Sequence, residues 1–185
     1  MNKTVIIIPS RLDSHRLPNK PLKIINNKEM ILHVYEAATK SNSGDVYVAT
    51  PDKKIIDIVK SFGGKVVQTS IDHQTGTDRI FEVFKDTLKS HPNIIVNLQG
   101  DMPNIEPKVI KDLIFYMNQG ECDIGTLASE FRSQSELEDQ NVVKVSVNEK
   151  MKPGSFAKAL DFLRNKPDTY KNLYHHVGIY AFTSK

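Results

Sequence analysis

Four consecutive β-branched residues, Val5-Ile6-Ile7-Ile8, stand near the head of the chain and are closed by Pro9. A run that is apolar at both odd and even positions is what a strand covered on both faces requires, so it belongs inside a sheet flanked by helices. The residues that follow carry Arg11, Arg16 and Lys20, five and four positions apart, with no amphipathic period. Three cations therefore sit on a loop leaving the carboxyl end of the first strand, which is where open α/β sheets bind ligands. Guanidinium and ammonium groups are natural partners of phosphate oxygens. A solvated basic loop is the competing reading. Pro9, Pro18 and Pro21 restrict the backbone on either side of the cations, which lowers the entropy lost on closing around an anion and favours a phosphate cradle.

The remainder of the first two thirds alternates strand and helix. Met30 to Lys40 places Met30, Ile31, Val34, Ala37 and Ala38 at helical spacing, with His33 as a structural residue within it. Asp45–Thr50 reads as a second strand, and Pro51-Asp52 starts a helix with proline near its first position and an acid in its first turn, running to about Phe62. Gly63-Gly64 supplies a left-handed cap, and Lys65–Thr69 is a third strand. A helix from about Asp78 to Leu88, a buried strand over Asn93–Leu98 and a helix over Pro107–Gln119 follow. This order predicts an α/β fold with a largely parallel sheet. Asp123–Phe131 is a strand of mixed polarity, Ser133–Asn141 a solvated connection, and Asn148–Gly154 a turn. Alternation over Val142–Val147, with a strand over Tyr174–Thr183, predicts antiparallel pairing in a mixed subregion.

At 185 residues with a net charge of +3, the chain suits one domain and lacks the basic patch with interleaved aromatics that nucleic-acid binding needs. The single Cys122 forms no internal disulfide and reads as core, no thiol or His cluster has metal-ligand spacing, and no apolar run is long enough to span a bilayer. With Met1-Asn2-Lys3 leading straight into the first strand, the expectation is a cytoplasmic protein without membrane insertion.

Two further segments point the same way as the basic loop. In Asp72–Arg79, Thr75 or Thr77 can cap the following helix and Gly76 lets the backbone approach a ligand closely, although an ordinary capped turn would look similar. Gln99-Gly100-Asp101 stands at the carboxyl end of the Asn93–Leu98 strand, where Gly100 permits a tight turn and Asp101 presents a hard carboxylate. Mg²⁺ prefers one or two carboxylates plus substrate phosphates, so Asp101 is the candidate metal ligand. A turn Asp bonded to its own backbone is the alternative.

Ile-Pro-Ser-Arg at 8–11 and Ser-His-Arg-Leu-Pro-Asn-Lys-Pro-Leu at 14–22 resemble the signature of the 3-deoxy-manno-octulosonate (Kdo) cytidylyltransferases. Ala49-Thr50, the block Asp72–Arg79, Val96–Asp101 and His176–Tyr180 match in the same order, so the resemblance covers essentially the whole chain. It implies a Rossmann-like nucleotidyltransferase with a mostly parallel central sheet and a mixed sugar-facing subregion, residues 1–120 forming the nucleotide part and 121–185 the sugar part. The implied reaction joins CTP to Kdo with Mg²⁺, releases pyrophosphate, and serves lipopolysaccharide synthesis. By the resemblance, Arg11, Arg16 and Lys20 hold the triphosphate, and Asp101 holds the metal. His73, Gln74, Gly76 and Arg79 lie toward the cytosine, and Gln99, His176 and Tyr180 position the sugar. The family commonly forms homodimers.

Four departures qualify the match. Asn19 stands where glycine is usual before the loop lysine, and Asn tolerates positive φ next best. His15 replaces a small Thr, and Met102 replaces the glutamate that usually follows the aspartate. Phe156-Ala157-Lys158-Ala159-Leu160 stands in place of a Phe-Ser-Arg motif, so Lys158 becomes the candidate for the sugar carboxylate without bidentate geometry. Another acidic sugar such as sialic acid, or nucleotide binding without turnover, therefore remain alternatives. The chain also stops at Lys185, short of a second aspartate of the family, so the expectation for this length is weak CTP binding and little transfer.

Overall fold

The structure is a computed structural model and describes residues 3–13, 17–88, 92–120, 122–165, 170 and 172–184. In chain order the elements are β1 (Thr4–Pro9), β2 (Ile24–Ile25), β3 (Lys28–Glu29), α1 (Met30–Lys40), β4 (Asp45–Thr50), α2 (Lys53–Ser61), β5 (Val66–Gln68) and α3 (Gly76–Glu82). They continue with β6 (Ile94–Leu98), α4 (Pro107–Met117), β7 (Ile124–Ser129), α5 (Gln134–Glu138), β8 (Lys144–Val147), β9 (Ala159–Leu163) and β10 (Leu173–Thr183). Two compact units result, Met1–Gly125 with Ile179–Lys185, and Thr126–Gly178.

In the first unit β1 is buried at every residue and lies between β4 and β6, parallel to both. β5 extends the parallel set beyond β4, and Ile179–Thr183 of β10 add an antiparallel strand beside β6. Side chains alternate across the sheet: Val5 and Ile7 join Ala49, Ile95, Ile80 of α3 and Val83 just after it in one cluster. The amphipathic faces of the helices are buried as their spacing predicts, through Ile31, Leu32, Val34, Tyr35, Ala37 and Ala38 on α1 and Ile110, Leu113, Ile114 and Met117 on α4. The chain goes from β1 to β4 on one side, whereas β6 lies on the other, so the loops after β1 and β6 diverge and leave a crevice at their carboxyl ends. No helix among the described residues is long and apolar enough to cross a membrane.

Several local expectations are revised. α2 begins at Lys53 with Asp52 at its N-cap, so its first turn holds no acid. The expected helix over Asp78–Leu88 divides into α3, starting at Gly76, and a π-helical turn over Val83–Thr87. That wider turn puts Val83, Phe84 and Leu88 against one core cluster. The β2–β3 hairpin is absent from the sequence reading. Asn26 (φ 46°) and Asn27 (φ 63°) form its two-residue turn, both left-handed as such hairpins require.

In the second unit β8 pairs with both β9 and the Leu173–His175 part of β10, antiparallel in each case. Alternation does not hold along β8, since all four residues are buried. Lys144 is tolerated there because its ammonium donates to the carbonyl oxygens of Asp139, Val142 (2.9 Å) and Arg164 (2.8 Å). The connection read as solvated contains the short helix α5, capped by Ser133, with no residue of the helix buried.

Candidate active site

A pocket of about 370 Å³ opens in the first unit at the crevice beyond β1 and β6, within the roughly 300–1,000 Å³ usual for small-molecule sites. Three segments line it: Pro9–Arg11 and Asp13 with Lys20 and Pro21, His73–Gly76 with Arg79, and Gln99–Asp101. The structure thus brings together Arg11, Lys20, His73, Gln74, Gly76, Arg79, Gln99 and Asp101. Arg16 falls outside the described residues.

Pro9 is the point at which these segments meet. A Cβ on Gly76 would stand 3.1 Å from the Pro9 ring, and one on Gly100 would stand 3.1 Å from the Pro9 carbonyl oxygen, so a side chain at either would press Pro9 by a few tenths of an ångström. Gly100 does not take positive φ, and the reason for glycine there is close approach and not a left-handed turn. Beyond Pro9 the Ser10 amide donates to the Ala49 carbonyl at 2.9 Å, and the Leu12 amide donates to Asp52 Oδ2 at 2.8 Å. Arg11 lies between them, exposed, with no hydrogen bond or ion pair to its side chain among the described residues. Ser10 also lines the pocket, and its hydroxyl is buried without a hydrogen-bond partner among the described residues. Farther along, Asn19 adopts φ 55°, the left-handed conformation expected of it, and leads into the 3-10 turn over Lys20–Leu22.

The loop before α3 is held by a reciprocal cap. Thr75 Oγ1 accepts from the Asp78 amide at 3.1 Å, and Asp78 Oδ2 accepts from the Thr75 amide at 3.1 Å. The Thr75 hydroxyl also donates to Asp78 Oδ2 at 2.7 Å, and this bond first, with that of the Thr75 amide, holds the Asp78 carboxyl below the usual carboxylate range against the opposing effect of burial. His73 Nε2 bonds Glu82 Oε2, and Glu82 also accepts from the Ser70 amide at 3.0 Å. Burial acts to raise the Glu82 carboxyl, but the hydrogen bonds from His73 and Ser70 outweigh it and keep its pKa low. Arg79 is only 3% exposed. Its Nη1 donates to the Thr69 hydroxyl and to the Ser70 carbonyl (2.8 Å). Burial pushes its pKa down; Glu82 opposes this and Arg11 adds to it. Arg79 thus braces the loop from beneath, while Arg11 is the outward guanidinium.

On the opposite wall Gln99 Nε2 donates to Asn97 Oδ1 at 3.0 Å, which ties a pocket residue to the buried end of β6. Lys20 Nζ donates to Asp101 Oδ2 at 2.6 Å, with the two side chains 34% and 49% exposed. Asp13 is a second carboxylate in the lining that sequence reasoning did not single out.

Tyr180 belongs to the first unit, on β10 opposite Asn97, and burial raises its hydroxyl pKa. His176 and Lys158 belong to the second unit. His176 Nε2 is 3.0 Å from Thr126 Oγ1 and meets Phe162 edge-on at 5.0 Å. Burial, with His175 adding, lowers its pKa. The Lys158 amide donates to Asn148 Oδ1 at 3.0 Å and its side chain is exposed. Sequence reasoning missed Ser10 and Asp52. An Asp just before a helix signals a cap, but nothing local signals a bond to a loop 40 residues earlier.

A basic loop, a hard carboxylate and a capped loop thus surround one crevice of a mostly parallel sheet, and the comparisons give the class: a nucleotidyltransferase. Residues 5–185 match the cytidylyltransferase family. The chain is 42% identical to an 8-amino-3,8-dideoxy-manno-octulosonate cytidylyltransferase of Shewanella pealeana, over all of this chain and 76% of that protein. It is 39% identical to a 3-deoxy-manno-octulosonate cytidylyltransferase of Brucella anthropi, over 97% of this chain and 73% of the relative. Among solved structures, a CMP:2-keto-3-deoxy-manno-octonic acid synthetase complexed with CTP superposes with a TM-score of 0.86 at 39% identity, over 98% of this chain and 74% of that one. The chain belongs to the 3-deoxy-manno-octulosonate cytidylyltransferase family and is a nucleotidyltransferase.

Proposed function

We propose that the pocket takes CTP and that the protein transfers its cytidylyl group to the anomeric hydroxyl of 3-deoxy-manno-octulosonate or its 8-amino analogue, for lipopolysaccharide synthesis in the cytoplasm. A bond forms between the sugar oxygen and the α-phosphorus, the bond from that phosphorus to the β-phosphate oxygen breaks, and the hydroxyl proton passes to solvent. The convergence of Arg11, Lys20 and Asp101 with the His73–Arg79 loop on one crevice carries this reading. Arg11 and Lys20, with Arg16 from the same loop, would hold the phosphates and offset charge on the departing pyrophosphate. His73, Gln74 and Gly76 would meet the pyrimidine, while Arg79 keeps their loop in place. In the first unit, Gln99 and Tyr180 would orient the sugar.

The residues present fit Mg²⁺ delivered with the nucleotide. Asp101 offers one hard oxygen donor, and no cluster of three metal-ligating side chains exists among the described residues, as expected for an ion that takes most of its ligands from phosphates and water. Bound there, the ion would neutralise phosphate charge and polarise the attacking hydroxyl. The deciding experiment is pyrophosphate release from CTP with Mg²⁺ and each of Kdo, 8-amino-Kdo and sialic acid. Release with either octulosonate is expected; release with sialic acid alone, or CTP binding without release, would replace the reading.

A further inference from the structure

Asp52 holds the N-cap position of α2 but makes no side-chain cap to its own helix. A carboxylate there would normally accept an amide of the first turn. Asp52 Oδ2 instead accepts the Leu12 amide at 2.8 Å, across 40 residues of sequence. Its own amide is fixed by the hydroxyl of fully buried Thr50 at 3.2 Å. Because the Ser10 amide is held by the Ala49 carbonyl at 2.9 Å, the amides of both neighbours of Arg11 are anchored, one to the end of β4 and the other to the residue before α2. The Arg11 side chain lines the pocket and is not committed elsewhere among the described residues. A free cation on a backbone fixed at both neighbours loses little freedom when it meets an anion. The negative charge of Asp52 also offsets the mutual repulsion of Arg11 and Arg79.

We propose that Asp52 is a positioning residue for transfer: by clamping the Leu12 amide it holds Arg11 where the phosphates of the nucleotide bind, without touching the substrate itself. The inference rests on the reading of the pocket as a CTP site. It separates a clamp that serves anion binding from a helix cap that serves only stability.

The test is calorimetric binding of CTP, cytidine and inorganic tripolyphosphate to wild type, Asp52→Ala, Asp52→Asn, Asp52→Ser, Arg11→Ala and the Asp52→Ala/Arg11→Ala pair, with thermal melting alongside. Asp52→Ala should weaken CTP and tripolyphosphate on the order of tenfold and leave cytidine unchanged. Asp52→Asn keeps an oxygen acceptor for Leu12 and should recover most of the loss. Asp52→Ser caps α2 but is too short to reach Leu12, so it should melt like wild type and bind anions as weakly as Asp52→Ala. With Arg11 already removed, Asp52→Ala should add nothing. The clamp is overturned by equal losses for CTP and cytidine, by full recovery in Asp52→Ser, or by an undiminished effect in the Arg11→Ala background. A wild type that binds tripolyphosphate but not CTP would sink the CTP reading alone, and the tripolyphosphate series would still judge the clamp. Binding of neither would sink both.

Discussion

Replacing Asp101 by Asn should separate three quantities that a merely structural residue would move together. The Lys20–Asp101 pair is 2.6 Å long, but its side chains are 34% and 49% exposed, so solvent screening limits its worth to at most about 1 kcal/mol. For a chain of this size that corresponds to a melting shift of about 2–4 °C or less. In the absence of metal, CTP must draw Lys20 away from Asp101. Removing the competitor returns at most the same 1 kcal/mol, so CTP should bind Asp101→Asn up to about fivefold more tightly in chelator. Turnover should move the opposite way. Charge stabilisation through a metal supplies several kcal/mol, so loss of its protein ligand should lower the rate by at least about 10²-fold. Calorimetry with CTP in chelator, pyrophosphate release across a Mg²⁺ titration, and thermal melting make the three readings. Wild-type turnover at ordinary Mg²⁺ would refute the metal assignment. Weaker CTP binding in chelator, or a melting drop well beyond 4 °C, would show that Asp101 shapes the pocket instead of charging it.

Two other outcomes follow from burial. His176 has a folded-state pKa below that of the unfolded imidazole, about 6.5, so the unfolded chain binds more protons below that value. Its contribution to stability is complete above about pH 6.5 and is lost as pH falls through the folded pKa; the denaturant midpoint should decline over this range in wild type and less steeply in His176→Gln, whereas parallel profiles would contradict the assignment. The Ser10 hydroxyl is buried with no partner among the described residues, and such a group costs roughly 1–3 kcal/mol. Ser10→Ala should therefore stabilise the ligand-free protein by about 1 kcal/mol, and a lower denaturant midpoint would show that the hydroxyl is satisfied.

What could be read from the sequence was what short-range physics decides. The apolar run before Pro9 named a strand buried on both faces. A cap at Thr75 or Thr77 was expected and the structure takes Thr75, and Asn19 announced a left-handed turn before Lys20. Parallel β1, β4 and β6 follow from strand–helix alternation, and with them the crevice that gathers the basic loop and Asp101. The Asn26-Asn27 turn was legible as well, since paired asparagines between short apolar and polar stretches are a hairpin signal; the basic loop beside it drew the reading away. Burial of charge was not legible, because it depends on acceptors that assemble only in the fold. Lys144 alternates with valines as a surface lysine would, and only the carbonyls of Asp139, Val142 and Arg164 make its burial tolerable. Arg79 is a parallel case: the resemblance sets it toward the cytosine as a substrate-binding residue, but Thr69 and Ser70 take its buried guanidinium, which braces the loop. Asp52 is the sharpest case, because a local rule assigns it to α2 and a contact 40 residues away overrides that rule. The fold thus gives these three charged residues partners that their sequence neighbourhood does not announce, whereas the Arg11 side chain has no such partner among the described residues and lines the pocket. In the pocket, Arg11 without a side-chain partner among the described residues and Lys20 on one exposed carboxylate are the cations a ligand can engage, while Asp52 and buried Arg79 fix the loops that carry the site.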